Sequence, residues 1–357
     1  MSQTVVIASQ PSASRVIATK RTEDIVANLL AKGEAHLEHK QLADALDCFD
    51  LALGFDSENA QAQLGLNRVH CQIIPRWHFE MLNDEQRNNA FEQALRNAIT
   101  PGTIVLDIGS GTGLLAMMAA RAGAKETFTC EMVPQLAELT RATVALNGFS
   151  EQVVTLAKKS TSLMMGYDMI RKANLLVTET VDCGLLGEGI VASIAHAKAN
   201  LLTDDAQIVP CGGTVYAMVV ESPRLRNLNQ ARTASGFDVS LANRYQTAHY
   251  FPVRLAAFEY TALTKPFEVF HFDFENGHVV PEQKTISVRA QRDGMAQCVI
   301  FWFDMQLDAE ISISNEPGST THWEQALQCL DREIPVCAGD TLEVAAEHDC
   351  QLIRFSI

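Results

Sequence analysis

The chain has 357 residues, 47% of them hydrophobic and 20% charged, with a formal net charge of −15 at pH 7. That length can bury one large core or two ordinary ones, and the composition is that of a soluble globular protein. The acidity argues against gripping a nucleic-acid backbone as the main activity; it suits steering of a basic partner, and it also suits plain solubility. Nine cysteines without a C-x-x-C pair read as small buried hydrophobes in a reducing compartment, so neither a disulfide framework nor a metal site is expected.

In chain order, Met1 to Lys20 lacks the continuous apolar core of a signal peptide, and no membrane span appears. Residues 1–22 are therefore expected to be a disordered lead, and the location cytoplasmic, with the nucleus left open. Residues 23–70 read as a helical hairpin. Gly33, Ala45, Phe49 and Ala52 occupy the small and aromatic positions of a tetratricopeptide repeat, with Leu29 at its first large site. One copy cannot make a stable solenoid, so the hairpin is either a peptide-binding module or, better favoured, a brace against the next domain. His78, Met81 and Arg87 follow at one to two helical turns, lining a cofactor pocket or forming a mixed helix face. Phe91, Ala94, Leu95 and Ala98 keep helical spacing until Pro101-Gly102 breaks it.

Ile104-Val-Leu-Asp-Ile-Gly-Ser-Gly-Thr-Gly-Leu-Leu115 joins an aliphatic strand to a helix through a glycine turn. The glycines, Gly109 and Gly111 among them, let the backbone turn tightly and approach a ligand. A second strand, 126–130, ends at Glu131, twenty residues past Gly111, where a nucleotide-binding βαβ unit places its ribose acceptor. The G-x-G-x-G spacing, with Asp107 just ahead of it, favours the S-adenosylmethionine pocket of class I methyltransferases over NAD. Asp107 is then expected to organise the glycine loop and meet the cofactor's amino group, with Glu131 on the ribose.

Ala173 to Thr178 reads as a buried parallel strand that runs into Glu179-Thr-Val-Asp-Cys-Gly-Leu-Leu-Gly-Glu188. Carboxylates at the carboxyl end of such a strand face the crevice where open α/β sheets bind ligands. Two of them on one glycine-punctuated loop could grip a guanidinium, whose fork matches carboxylates. Taken alone, two loop glutamates are usually just solvated. From about Thr214 the sequence turns β-rich, with strands at 214–220, 285–289, 299–303 and 352–356, which suggests a sandwich or barrel. Leu225 to Tyr245 is a polar, helix-like interruption.

Four motifs in order give the chain a resemblance to the protein arginine methyltransferases over nearly all its length after residue 70. They are His-x-x-Met-Leu-x-Asp-x-x-Arg at 78–87, Val-Leu-Asp-x-Gly-Ser-Gly-Thr-Gly at 105–113, the double-glutamate loop at 179–188, and Thr-His-Trp at 321–323. Within the family the double-glutamate loop and the repeat-like N-terminus look most like the tetratricopeptide-bearing ninth member, with the seventh next. Those members carry two methyltransferase modules, and this sequence shows one.

The resemblance implies a Rossmann-like domain over 71–212 and a β-barrel domain over 213–357, interrupted by a helical dimerisation arm at 225–245. It implies a homodimer with an arginine-containing basic protein as substrate, and no direct binding of nucleic acid or membrane. Glu179 and Glu188 would hold the arginine, His322 would pair with Asp84 as proton acceptor or loop clamp, and Trp323 would wall the arginine slot. Arg87 would meet the cofactor carboxylate, and His78 and Met81 would line the cofactor pocket. The Thr161 backbone and the Ser162 hydroxyl stand where many relatives place an acid near the adenine. The tyrosines of the family's lid helix are absent from Val69–Arg76, and Pro75 breaks a helix there. The ninth member implies monomethyl and symmetric dimethylarginine, the seventh monomethylarginine alone. A methyltransferase for another acceptor, or a weakly catalytic scaffold, are the competing classes. Both retained glutamates and the Thr-His-Trp loop count against them.

Overall fold

The computed structural model describes the backbone of residues 13–357, which divide into two compact units at His78/Phe79. The first unit holds helices α1 (Ala13–Glu38), α2 (Leu42–Phe55) and α3 (Ala60–Ile73), and α4 (Trp77–Leu82) spans the division. Residues 13–22 of the expected disordered lead are thus helical, a correction to the sequence reading; the rest of that lead lies outside the described residues. The expected hairpin is a three-helix packing. Phe49 is wholly buried between α1 and α3: a Cβ on Gly33 would fall 2.7 Å from its ring, and one on Gly65 2.4 Å. Only glycine allows so close an approach. Asn59 caps α3 by accepting from Ala62 N, and Pro75 lies between α3 and α4.

The second unit starts with α5 (Glu85–Ala98) and a doubly wound sheet: β1 (Ile104–Ile108), α6 (Leu114–Arg121), β2 (Glu126–Cys130), α7 (Pro134–Leu146), β3 (Val153–Leu156), β4 (Ala173–Thr178), α8 (Ile190–Asn200) and β5 (Leu202–Val209). The strand order is β3-β2-β1-β4-β5, all parallel. β1 and β4 are almost continuously apolar and buried, as strands covered on both faces must be. The chain winds outward from β1 to β3, returns, and lays β4 on the other side of β1. A crevice therefore opens between the carboxyl ends of β1 and β4.

The β-rich half begins with β6 (Gly212–Glu221) and the short helix α9 (Pro223–Arg226). A small hairpin of β7 (Thr233–Ala234) and β8 (Phe237–Asp238) follows, then a 3-10 turn at Ser240–Tyr245. The expected helical arm is thus mostly hairpin and turn, because Gly236, at φ +85°, and Ser235, at +51°, reverse the chain. The remaining strands are β9 (Phe251–Val253), β10 (Thr261–Ala262), β11 (Phe267–Asp273), β12 (Glu282–Arg289), β13 (Gly294–Gln306), β14 (Ser312–Ser314), β15 (Gln325–Val336), β16 (Thr341–His348) and β17 (Ile353–Ser356). A seven-stranded antiparallel sheet runs β10-β6-β13-β15-β9 with β11 and β14 at its side, and a three-stranded sheet runs β12-β16-β17. Together they form the barrel-like domain expected. One buried core runs from Phe91 and Leu106 of the parallel half through Leu185 to Phe301, Phe303 and Phe355 of the β half. The cysteines depart from expectation: four are buried, while Cys71 and Cys337 are exposed, and all nine are free thiols.

Candidate active site

The crevice between β1 and β4 collects acids from three adjacent strand ends. Asp107, wholly buried on β1, accepts a 2.6 Å bond at Oδ2 from Thr129 Oγ1 of β2, its register partner. Thr129 Oγ1 lies 2.6 Å from Ser110 Oγ of the glycine turn. Asp107 Oδ1 finds no hydrogen-bond partner among the described residues. Leaving such a buried acceptor unsatisfied costs about 1–3 kcal/mol. Burial, with the nearby charges of Glu131 and Glu179, pushes the Asp107 carboxyl up to about 7 against the pull of Thr129 and Arg87.

Glu131 follows β2, and its oxygens accept from Gly111 N (3.2 Å) and Val133 N (2.9 Å). Gly111 holds φ +53°, and a Cβ there would point into open space. The turn thus keeps its backbone clear on the ligand side. A bound S-adenosylmethionine fits these features: its ammonium would satisfy Asp107 Oδ1, and its ribose would lie at Glu131.

Glu179 leaves β4 directly and forms an ion pair with Arg87 of α5, both side chains almost fully buried. Arg87 sits in the first turn of α5, whose cap is Asp84: Oδ1 accepts from Arg87 N at 2.9 Å. The other oxygen, Oδ2, accepts from His322 N (2.7 Å) and lies 2.9 Å from His322 Nδ1. Burial pushes Asp84 up, but the N–H donors of Arg87 and His322 outweigh it and leave the carboxyl below its usual value. Burial lowers His322 despite Asp84 and Glu179. The pair is therefore carboxylate and neutral imidazole, with the proton on Nδ1 and Nε2 as an acceptor.

Glu188 lies at the exposed end of the same loop. It has solvent on one side and is crowded on the other. That burial, followed by the charges of Glu179 and Asp182, pushes its carboxyl up to about 8. A cationic ligand would reverse the shift. Trp323, 5% exposed, packs behind the loop: its ring N–H donates to Val181 O (3.3 Å), and it lies against His322 and Phe303. Asn315, wholly buried, donates to Cys183 O and Glu324 O and so joins the two loops.

The structure brings Arg87, Asp107, Gly109, Gly111, Glu131, Glu179 and His322 to one crevice. Glu188 lies on the same loop as Glu179, whose negative charge raises the Glu188 carboxyl. Thr161 and Ser162 form a 3-10 turn after β3, at the carboxyl edge of the same sheet. Met81 is half-buried on α4, and His78, stacked on Trp77, closes the first unit. Sequence reading missed Thr129, Ser110, Asn315, Asp182 and Tyr250. Asp182 had a signal, its place inside the double-glutamate loop; Tyr250 had none.

A doubly wound sheet with a glycine turn and an acid at the end of each of its first two strands defines a methyltransferase of class I. Residues 91–185 match the ribosomal protein L11 methyltransferase family, and residues 212–351 match the arginine methyltransferase oligomerization subdomain. An arginine N(omega)-methyltransferase of Streptomyces achromogenes subsp. streptozoticus is 41% identical over 285 residues, 80% of this chain and 79% of that one. Protein arginine N-methyltransferase 9 of Xenopus laevis is 32% identical over 92% of this chain, which spans 44% of that relative's length. A Trypanosoma brucei PRMT1 enzyme-prozyme heterotetramer with AdoHcy shares the fold, with a TM-score of 0.67 at 22% identity over 78% of this chain and 89% of that one. The chain belongs to the protein arginine methyltransferase family, whose methyl donor is S-adenosylmethionine.

Proposed function

We propose that the protein transfers methyl groups to guanidino nitrogens of arginine in a basic protein, and that its products are monomethyl and symmetric dimethylarginine. The observation that carries the reading is the pair of carboxylates on one loop, Glu179 buried at the end of β4 and Glu188 at the open end, beside the glycine turn. When bound, the cofactor supplies an electrophilic methyl group on a sulfonium.

The rest is done by this chain's residues. A guanidinium is a poor nucleophile because it is protonated and delocalised. Glu179 and Glu188 hold its N–H groups, orient one nitrogen and stabilise the positive charge that grows as methylation proceeds. Arg87, now on Glu179, also meets the cofactor carboxylate. His322 Nε2 takes the released proton or, through Asp84, fixes the loop. Asp107, Glu131, Gly109 and Gly111 hold the cofactor, with Met81, Thr161 and Ser162 at its edges, and Trp323 backs the arginine slot. The segment 225–245 serves self-association as a homodimer. The helices around Phe49 form a tetratricopeptide-like segment.

A second acceptor reading, free arginine, is favoured by the Streptomyces relative, whose name carries arginine alone. Incubation with labelled S-adenosylmethionine and, separately, arginine-rich peptides or free arginine separates the two. Amino-acid analysis of the exhausted reaction then reads the product. Asymmetric dimethylarginine as the main product would refute the assignment, and monomethylarginine alone would favour the seventh member's pattern. Differences of one methyl in a pocket are worth only about 1–3 kcal/mol, so the product depends on fine packing around Met81, residues 180–186 and His322.

A further inference from the structure

Between the two glutamates the loop folds around a third acid. Asp182 Oδ1 accepts from Gly184 N (3.1 Å) and Gly187 N (2.9 Å), and Oδ2 accepts from Tyr250 Oη (2.7 Å). Asp182 O also takes Leu185 N at 3.1 Å. A Cβ on Gly187, the residue before Glu188, would fall 2.3 Å from Asp182 Oδ2, so only glycine lets the chain close so tightly on the carboxylate. Tyr250 is 4% exposed, held edge-on against Phe301, and lies just ahead of β9 in the β-rich half. Its hydroxyl is far too hard to ionise here, burial being the main cause and Asp182 the next, which makes it the donor. Each of Asp182's carboxylate oxygens is thus used within the protein, and none of its bonds goes to the cofactor side.

We propose that Asp182 and Tyr250 are positioning residues for the transfer: they clasp the loop from the β-rich half and so keep Glu188 at the acceptor guanidinium. This rests on the reading of Glu188 as an acceptor-holding acid. The clasp acts on Glu188 and not on the glycine turn, so it sets turnover and acceptor binding while cofactor binding stays as it is. The carboxylate's charge is not what holds the loop. An amide keeps an acceptor oxygen for both glycines, and its NH2 can donate to Tyr250 instead.

The test compares D182A, D182N and Y250F by steady-state kinetics on the acceptor that the wild type methylates, by calorimetry with S-adenosylhomocysteine and by thermal melting. D182A is expected to lose kcat on the order of a hundredfold, the effect of a misplaced group. Y250F is expected to lose about tenfold, the size of one hydrogen bond. D182N should stay within about threefold of the wild type, since its bonds survive. All three should bind S-adenosylhomocysteine normally. Wild-type kcat in Y250F together with D182A would overturn the proposal. So would losses that track a fall in S-adenosylhomocysteine affinity, which mark a general structural role. If D182A does not fold, Y250F and D182N decide it: equal activity in those two overturns it. A wild type inactive on every arginine acceptor would instead overturn the reading of the site itself.

Discussion

Arg87 and Glu179 form an ion pair in which the two side chains are only 4% and 5% exposed. Glu179 is the acid proposed to hold the acceptor, so the protein keeps it charged and pointed with a guanidinium of its own. Removing one partner of a buried pair leaves the other charge uncompensated, at a cost of about 3–5 kcal/mol. Arg87→Ala is expected to lower stability by that order and to weaken S-adenosylhomocysteine binding as well. Urea unfolding with unchanged midpoint, or unchanged calorimetric affinity, would remove Arg87 from the corresponding role.

Asp107 gives a pH dependence with a definite sign. Its folded-state carboxyl stands at about 7 against a reference of 3.8. The folded form therefore binds the proton more tightly than the unfolded chain does. Its contribution to stability is complete below the unfolded value and is lost as pH rises through about 7. Asp107→Asn should flatten that part of the ligand-free stability curve. Binding a ligand with an ammonium should drive the proton off, so heats measured below the folded value should vary with the buffer's ionisation enthalpy. A wild type without buffer dependence would move the amino group elsewhere.

Glu188→Gln is expected to abolish transfer with nearly unchanged cofactor affinity. More than about a tenth of wild-type turnover, a deficit under ~1.4 kcal/mol, would end its assignment as a catalytic acid. The carboxylate must be ionised to receive a guanidinium, and in the free protein it stands at about 8. The ratio kcat/KM should therefore climb with pH until about 8, whereas kcat, with the cation in place, should level off at lower pH.

The segment 225–245 exposes Phe237, Leu241 and Tyr245, at 73%, 69% and 90%. Deleting it should give a monomer with poor activity. Light scattering that finds the intact chain monomeric at micromolar concentration, yet active, would defeat the homodimer.

The parallel sheet was legible because buried strands write themselves as aliphatic runs, as in Val105-Leu106 and Leu175-Leu176-Val177, and glycines mark the turn after them. The acids at strand ends were legible for the same reason. Asn315 and Tyr250 were not: a buried amide and a buried phenol reveal their tie to the double-glutamate loop only through partners more than sixty residues away, Cys183 and Asp182. The arm misled because its polar residues allow a helix, while Ser235-Gly236 with positive φ turns it into a hairpin. Residues 13–22 read as a disordered lead because they carry no continuous apolar core, although the helix that reaches Glu38 already begins at Ala13.

The alignment of the strands has a consequence for how this sequence tolerates insertions and deletions. Ile108 pairs with Thr178 and Asp107 with Thr129, so the three strand-end acids stand together through register alone. The stretches between strands, such as the largely exposed residues 147–152 between α7 and β3, could lengthen or shorten without moving any of them. Loss of a single residue inside β4 is different: it would exchange the two faces of the strand and turn Glu179 away from Arg87. Length variation among functional variants should therefore collect in the crossovers and stop at Ala173.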